Sequence, residues 1–330
     1  MASQVLEYGA RQVAEMLPHI ARLRDEVARV LVGQHQLFDR LLMGIIVGGH
    51  VLVEGLPGLA KTTAVKCLAD GLSLDFSRIQ FTPDLLPSDV IGVEIYNPQK
   101  GEFAVKRGPV FANIVLADEI NRAPSKVQSA LLEAMQERQV TIGNETFGLP
   151  RPFLVLATQN PLEQQGTYPL PEAQLDRFLL KVQVSYPTEA EEHEIVLRAI
   201  EATRAEVAHC LGAREIDGLQ ALQSVIFVDE KIRRYVVSLV RCSRDPGAFG
   251  AADLKPMIAV GASPRASIAL TQCARVQALF DGRAYVTPQD VKSVAHDVLR
   301  HRILASYEAE AEEVHVDGII SRILDTVVVP

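Results

Sequence analysis

Cysteine is sparse in this chain and never paired. Cys67, Cys210, Cys242 and Cys273 stand far apart, and no two of them form a Cys-x-x-Cys spacing. That pattern supplies neither a disulfide framework nor a zinc-ligand set, and it reads as isolated thiols in a reducing compartment. Basic charge is not in excess either. Lys and Arg number 33 against 41 Asp and Glu, a formal net charge of −8. No cationic surplus exists to displace counterions, which argues against nucleic acid as the main partner while leaving room for a locally basic groove. Long hydrophobic runs are missing too. The longest, Leu41 to Val53, is interrupted by His50 and falls short of the roughly 20 residues that a bilayer span needs. No basic-then-apolar signal pattern opens the sequence, and neither an internal repeat nor a low-complexity segment occurs. The expectation is a soluble, cytoplasmic protein without membrane insertion.

What is present is ordinary globular material, with 48% hydrophobic and 22% charged residues over 330 positions. That length suits two domains, or one core with a helical appendage. The stretch around which the chain is organised is Val51-Leu-Val-Glu-Gly-Leu-Pro-Gly-Leu-Ala-Lys-Thr-Thr63. Val51 to Val53 reads as the end of a buried strand. Gly55 to Thr62 reads Gly-x-x-x-x-Ala-Lys-Thr, a phosphate-binding loop with Ala60 where the common pattern has a second glycine. Gly55 and Gly58 are expected to let backbone N–H groups turn inward around a polyphosphate. Lys61 would reach the β- and γ-phosphates, Thr62 would offer a hydroxyl to Mg²⁺, and the following helix would add its positive end.

Along the chain, helical spacing covers residues 5–47 and resumes from Lys61 to about Gly71. Phe76 to Phe81 is a strand candidate. A loop and a short helix started by Pro87 or Ser88 follow. Residues 93–106 form a predicted β-hairpin around the turn Asn97-Pro-Gln-Lys-Gly101. The apolar run Ile114 to Ala117 ends in Asp118-Glu119, at the strand end where open α/β sheets bind ligands. Ser125 is expected to cap the next helix. A second hairpin turns at Gly143-Asn144, and Phe153 to Ala157 is a further buried strand leading to Asn160. Glu172 to Phe178 reads as a short helix and Leu179 to Val184 as the last strand. Beyond Tyr186-Pro187 the pattern is helical throughout, opened by a capping box of Thr188 and Glu191. Further helices start at Ser263-Pro264 and Thr287-Pro288. The boundary falls at 186–188, giving an α/β core at 1–187 and a helical domain at 188–330.

Five residues complete the chemistry. Asp118 could hold Mg²⁺ through its water shell. Glu119 could polarise an attacking water as general base, and Asn160 could position that water. Arg177 would be an ordinary surface residue in a monomer, yet in a ring it could reach a neighbour's γ-phosphate. Arg265 sits at a helix start, where a cation opposes the helix dipole, which hints at an anion nearby.

Each is weak alone, but their order along one chain resembles that of the AAA+ ATPases, and within them the MoxR family. The motifs that carry the resemblance are Gly55-Leu-Pro-Gly-Leu-Ala-Lys-Thr62, Leu116-Ala-Asp-Glu-Ile-Asn-Arg-Ala-Pro-Ser125, Leu132-Glu-Ala-Met-Gln-Glu137, Ala157-Thr-Gln-Asn-Pro161, Leu170-Pro-Glu-Ala-Gln-Leu-Asp-Arg-Phe178 and Gly261-Ala-Ser-Pro-Arg265. The resemblance covers the chain from about residue 15 to 305, and Ala60 is what the family itself usually shows.

The resemblance implies an α/β phosphate-loop core with a five-stranded parallel sheet, flanking helices and two β-hairpin inserts, plus an all-α lid. It implies ATP and Mg²⁺ as cofactors and a homo-hexameric ring. Gly55, Pro57, Gly58, Leu59, Ala60, Lys61, Thr62 and Thr63 would then form the Walker A loop, with Asp118 and Glu119 as Walker B. Metal contacts would come from Thr62 and Asp118. Asn160 would be sensor 1, Arg177 the arginine finger and Arg265 sensor 2, while Arg122 would bridge to a neighbour or brace the loop after Asp118. The implied activity is ATP hydrolysis to ADP and phosphate. It would drive chaperone-like remodelling, assembly or metal-centre maturation of protein clients, with a von Willebrand factor A-domain partner. No aromatic-hydrophobic-glycine pore loop is present, which counts against processive threading. Two other readings are a nucleic-acid motor or loader of a related clade and a nucleotide-gated scaffold. DNA-stimulated ATPase activity would distinguish the first, and an intact Glu119, Asn160 and Arg177 set argues against the second.

Overall fold

A computed structural model describes residues 2–99, 101–161, 166–200 and 205–330, with side chains from residue 6 onward. Lys100, part of the predicted hairpin tip, lies outside the described residues. By internal contacts the chain forms two compact units, residues 22–178 with 182–213, and residues 1–21 with 179–181 and 214–330.

The N-terminal helical stretch divides into α1 (Ala2–Ala28) and α2 (His35–Val47). Gly33 and Gln34 break it, both at positive φ. β1 (Val51–Glu54), α3 (Lys61–Leu72) and β2 (Phe76–Gln80) follow, then the short α4 (Pro87–Ile91), in which Asp89 accepts the Leu86 N–H at 2.8 Å. β3 (Gly92–Asn97) and β4 (Glu102–Arg107) pair as the first hairpin. Next are β5 (Ile114–Asp118) and α5 (Ser125–Glu137), and then the second hairpin of β6 (Gln139–Ile142) and β7 (Glu145–Gly148). β8 (Leu154–Gln159), α6 (Glu172–Leu175), β9 (Leu180–Gln183) and α7 (Glu189–Ile200) complete this part of the chain.

The sheet is ordered β2-β5-β8-β1-β9, and β1, β2, β5 and β8 pair in parallel. Its central strands are apolar on both faces because helices cover both. Leu52, Val115, Ala117, Val155 and Ala157 pack in one cluster with Val127, Leu131, Leu132 and Met135 of α5 and with Val140 and Ile142 of the second hairpin. The alternate residues turn the other way. α2 approaches there so closely that a Cβ on Gly44 would lie 3.0 Å from Val51 and 3.1 Å from Leu154.

Three local expectations are corrected. Ser125 is the first residue of α5 rather than its cap; Pro124 precedes it, and no side chain caps the helix. α6 stops at Leu175 instead of Phe178, because Phe178 is wholly buried and draws the chain inward. The reading of helix throughout beyond residue 187 misses two short strands, β10 (Ile258–Val260) and β11 (Leu304–Ala305). Pro256, inside the 3-10 turn Ala252–Met257, precedes the first, and Gly261 follows it. The rest of the second unit is helical: α8 (Ala213–Val225), α9 (Glu230–Cys242), α10 (Pro264–Phe280), α11 (Pro288–Leu299), α12 (Tyr307–Ala311) and α13 (Val316–Thr326). The Thr188–Glu191 capping box is present, at 2.8 Å from the Thr188 N–H to the Glu191 carboxylate, and it opens α7.

Cys67, Cys242 and Cys273 are buried and Cys210 is half-buried. Burial pushes the Cys67 thiol up to about 11. No helix among the described residues is long and apolar enough to cross a membrane.

Candidate active site

The phosphate loop leaves β1 at Glu54 and enters α3 at Lys61. Its glycines serve two different purposes. Gly58 has φ +85°, a conformation that side chains resist. Gly55 does not adopt positive φ. It is needed because a Cβ there would stand 3.1 Å from the Val184 Cβ and 3.2 Å from the Val184 carbonyl oxygen. The expectation that both glycines work through their dihedrals therefore holds for Gly58 alone. The second left-handed residue is Ala60, at φ 56°, directly before α3. An L-residue pays roughly 1–2 kcal/mol there, and the small methyl keeps that cost from rising further.

Lys61 folds back so that Nζ donates to the Gly55 carbonyl at 2.6 Å. Partial burial lowers its pKa, while Asp118 and Glu119 act in the opposite direction. Those two carboxylates stand opposite the loop. β2 and β5 run parallel with Gln80 in register with Asp118, and Arg78, two residues before Gln80, shares its face of the strand. The Thr158 hydroxyl donates to Asp118 Oδ1 at 2.6 Å and accepts the Glu119 N–H at 2.9 Å. Arg78 donates to Asp118 Oδ2 from Nη2 at 2.6 Å and from Nε at 3.2 Å. Glu119 is left-handed at φ 58°. Its Oε2 accepts from Gln80 Nε2 at 2.8 Å and faces Arg122 Nη1 at 3.3 Å.

Together these groups surround one cleft of ≈ 400 Å³. Pro57, Gly58, Ala60, Lys61, Thr62 and Thr63 line the loop side, and Asp118, Glu119 and Asn160 line the strand-end side with Arg78, Gln80 and Thr158. Most of the anticipated site residues thus meet. Gly55 and Leu59 are buried and do not line it. The loop offers an ammonium, backbone N–H groups and a helix N-terminus to an anion. Thr62 and Asp118 fit magnesium, which takes one or two protein ligands and completes its shell with phosphate oxygens and water.

Arg177 lies elsewhere. It is exposed and lines a separate polar depression with Glu133, Gln136, Glu137 and Gln174. Arg265, also exposed, belongs to the other compact unit, in the first turn of α10, where Ser263 Oγ accepts its N–H at 3.2 Å.

Sequence reasoning passed over Arg78, Gln80, Thr158 and Gln128. The first two were readable as the polar face of an alternating strand. Gln128 was hidden as one polar position on an amphipathic helix. It is fully buried, and its Nε2 donates to the carbonyls of Ile120, Ala123 and Tyr168 at 3.1, 3.1 and 2.8 Å. It thereby ties the turn after Glu119 to the segment leading to α6.

A phosphate loop and two strand-end carboxylates on a β2-β5-β8-β1-β9 sheet define an AAA+ ATPase. Residues 50–180 match the family described as "ATPase family associated with various cellular activities (AAA)", and residues 250–323 match the AAA lid domain. The chain is 50% identical to "Chaperone MoxR1" of Mycobacterium tuberculosis, over 98% of this chain and 85% of that one. It is 34% identical to "Protein MoxR" of Paracoccus denitrificans, over 94% and 97% of the two chains. A crystal structure of a candidate ATPase from Cytophaga hutchinsonii superposes with a TM-score of 0.92 at 48% identity, covering 98% of this chain and 99% of that one. The chain belongs to the MoxR family of AAA+ ATPases.

Proposed function

We propose that this ATPase works as a homo-hexameric, chaperone-like machine in the cytoplasm, remodelling or assembling protein clients, metal-centre maturation included, with a von Willebrand factor A-domain partner. Residues 1–187 are its nucleotide-binding part and 188–330 its lid. The observation that carries the reading is the single cleft in which Lys61 and Thr62 oppose Asp118 and Glu119.

In that cleft Lys61 and the N-terminus of α3 hold the β- and γ-phosphates of ATP, with Gly55, Pro57, Gly58, Leu59, Ala60 and Thr63 shaping the loop around them. Thr62 and Asp118 would hold magnesium, which would supply positive charge to offset that of the phosphates. Glu119 takes a proton from the attacking water and Asn160 orients that water. Arg177 completes a neighbouring subunit's site, and Arg265 senses the nucleotide from the lid.

Nucleotide titration beside phosphate release tests the assignment. Lys61→Ala should lose about tenfold or more in ATP affinity, because it removes the cation inside the loop. Glu119→Gln should bind ATP as the native protein does while turning over about 10²–10⁴ times more slowly, the usual contribution of a general base. A Glu119→Gln protein hydrolysing ATP at the native rate would sink the assignment.

A further inference from the structure

We propose that Arg78 is a built-in counter-ion of Asp118 that competes with magnesium and so sets how strongly nucleotide binding depends on the metal. This rests on the reading of the cleft as an ATP–magnesium site.

Asp118 has two oxygens, and they are held in different ways. Oδ1 accepts from the Thr158 hydroxyl, and that hydroxyl also accepts the Glu119 N–H. If Thr158 swung away, a backbone donor at the turn would lose its partner, so Oδ1 is fixed. Oδ2 is held by Arg78 alone among the described contacts, through two bonds. Arg78 has no such obligation. It lies on the strand beside β5, its side chain is 50% exposed, and its only other hydrogen bond among the described residues is from Nη2 to Gln80 Oε1 at 3.1 Å. A flexible, half-solvated guanidinium yields more readily than a hydroxyl bonded on two sides. A divalent cation approaching Asp118 from the cleft therefore meets Arg78 at the available oxygen.

Two opposing consequences follow. With Arg78 in place Asp118 is already neutralised, so a metal-free triphosphate meets less repulsion. The same pairing must be given up, wholly or in part, when Asp118 turns to the metal. A charge-assisted two-point bond is strong among side-chain pairs, but half-exposure brings it down to a few-fold in equilibrium terms.

Fluorescently labelled ATP supplies the test, titrated against full-length protein in EDTA and in saturating Mg²⁺. In Arg78→Ala the ratio of affinity with Mg²⁺ to affinity without it should rise about three- to tenfold. The Mg²⁺ concentration for half-maximal binding should fall by a similar factor. In an Asp118→Asn background the same Arg78→Ala change should leave the ratio where it was. Equal losses of affinity in both conditions would make Arg78 merely one more positive charge near the phosphates and overturn the inference, as would an unchanged ratio. If Arg78→Ala does not fold by thermal unfolding, Arg78→Gln provides the same comparison. Native protein that binds no labelled ATP in either condition would instead bring down the ATP–magnesium reading itself. Native binding that needs Lys61 but shows no Arg78-dependent ratio would leave that reading standing and remove this one.

Discussion

At the scale of single residues, His50 carries the sharpest consequence for stability. It is buried beside Phe153, Nδ1 accepting the Val155 N–H at 3.0 Å and Nε2 lying 3.1 Å from the Met135 carbonyl. That arrangement requires the neutral ring. Burial brings its pKa from 6.5 down to about 4, with the Arg138 charge adding a little and the Met135 bond opposing. The unfolded chain therefore binds the extra proton between pH 6.5 and 4, and stability is present above that window and lost as pH falls through it. Acidification from pH 7 to 5 should cost about 2 kcal/mol from this group. Urea unfolding of the native protein and His50→Phe at several pH values checks this. The variant should be less stable at pH 7 but flatter over the window, and parallel curves would assign the acid sensitivity to other groups. In the sequence His50 was visible only as a break in an apolar run, because its two partners lie 85 and 105 positions away. Gly55 was misread for the same reason: its constraint comes from Val184, not from its neighbours.

Among the elements, the first hairpin stands apart by what it leaves exposed. Tyr96 faces Phe103 in register, their rings 5.1 Å apart, and these side chains are 51% and 66% exposed. Val93 and Ile95 are also exposed, on the other side of β3. At the hairpin's base two glycines let the backbone segments approach closely. A Cβ on Gly92 would lie 2.4 Å from the Lys106 carbonyl oxygen, and one on Gly108 would lie 2.3 Å from that of Val90. A platform of aromatics that adds little to the core suits contact with clients. Tyr96→Ser with Phe103→Ser should change stability by less than about 1 kcal/mol and leave basal ATPase intact, while weakening suppression of aggregation of a chemically unfolded test protein at least severalfold. Unchanged suppression would make the hairpin a passive insert. Both hairpins were legible from alternation and turn chemistry, and the strands ending in Asp118 and Gln159 from their apolar runs. β10 and β11, at three and two residues, lie below the length at which a period can be read. The polar face of β2 was just as visible but carried no motif to draw attention to it.

For the whole molecule, the decisive residue is Arg177. It sits outside the cleft of its own chain, so a role in hydrolysis requires a second subunit. Arg177→Ala should bind ATP and hydrolyse it about 10³-fold more slowly, as loss of an arginine finger does. Mixed in equal amounts with Lys61→Ala under conditions of subunit exchange, it should recover about a quarter of native activity. Half the subunits then carry a working loop, and half of those meet an intact finger. A mixture as inactive as its two parts would show that Arg177 does not act in trans. Nothing in one chain's sequence could have weighed this, since a surface arginine and a finger look alike until a neighbour is present. The compact units were equally hidden: residues 1–21 group with 214–330 through contacts remote in sequence, while the boundary at 186–188 was drawn from local composition. The distribution of thiols has a practical consequence as well. Three are sealed in the interior, and only Cys210 is partly exposed. Its N–H bonds the Gly71 carbonyl at 2.9 Å, one residue from the end of α3, the helix that starts at Lys61. At about 1.5 Å per residue that places a maleimide dye on the unmodified chain a helix length from the phosphates, a spectroscopic reporter on the nucleotide loop that needs no engineered cysteine.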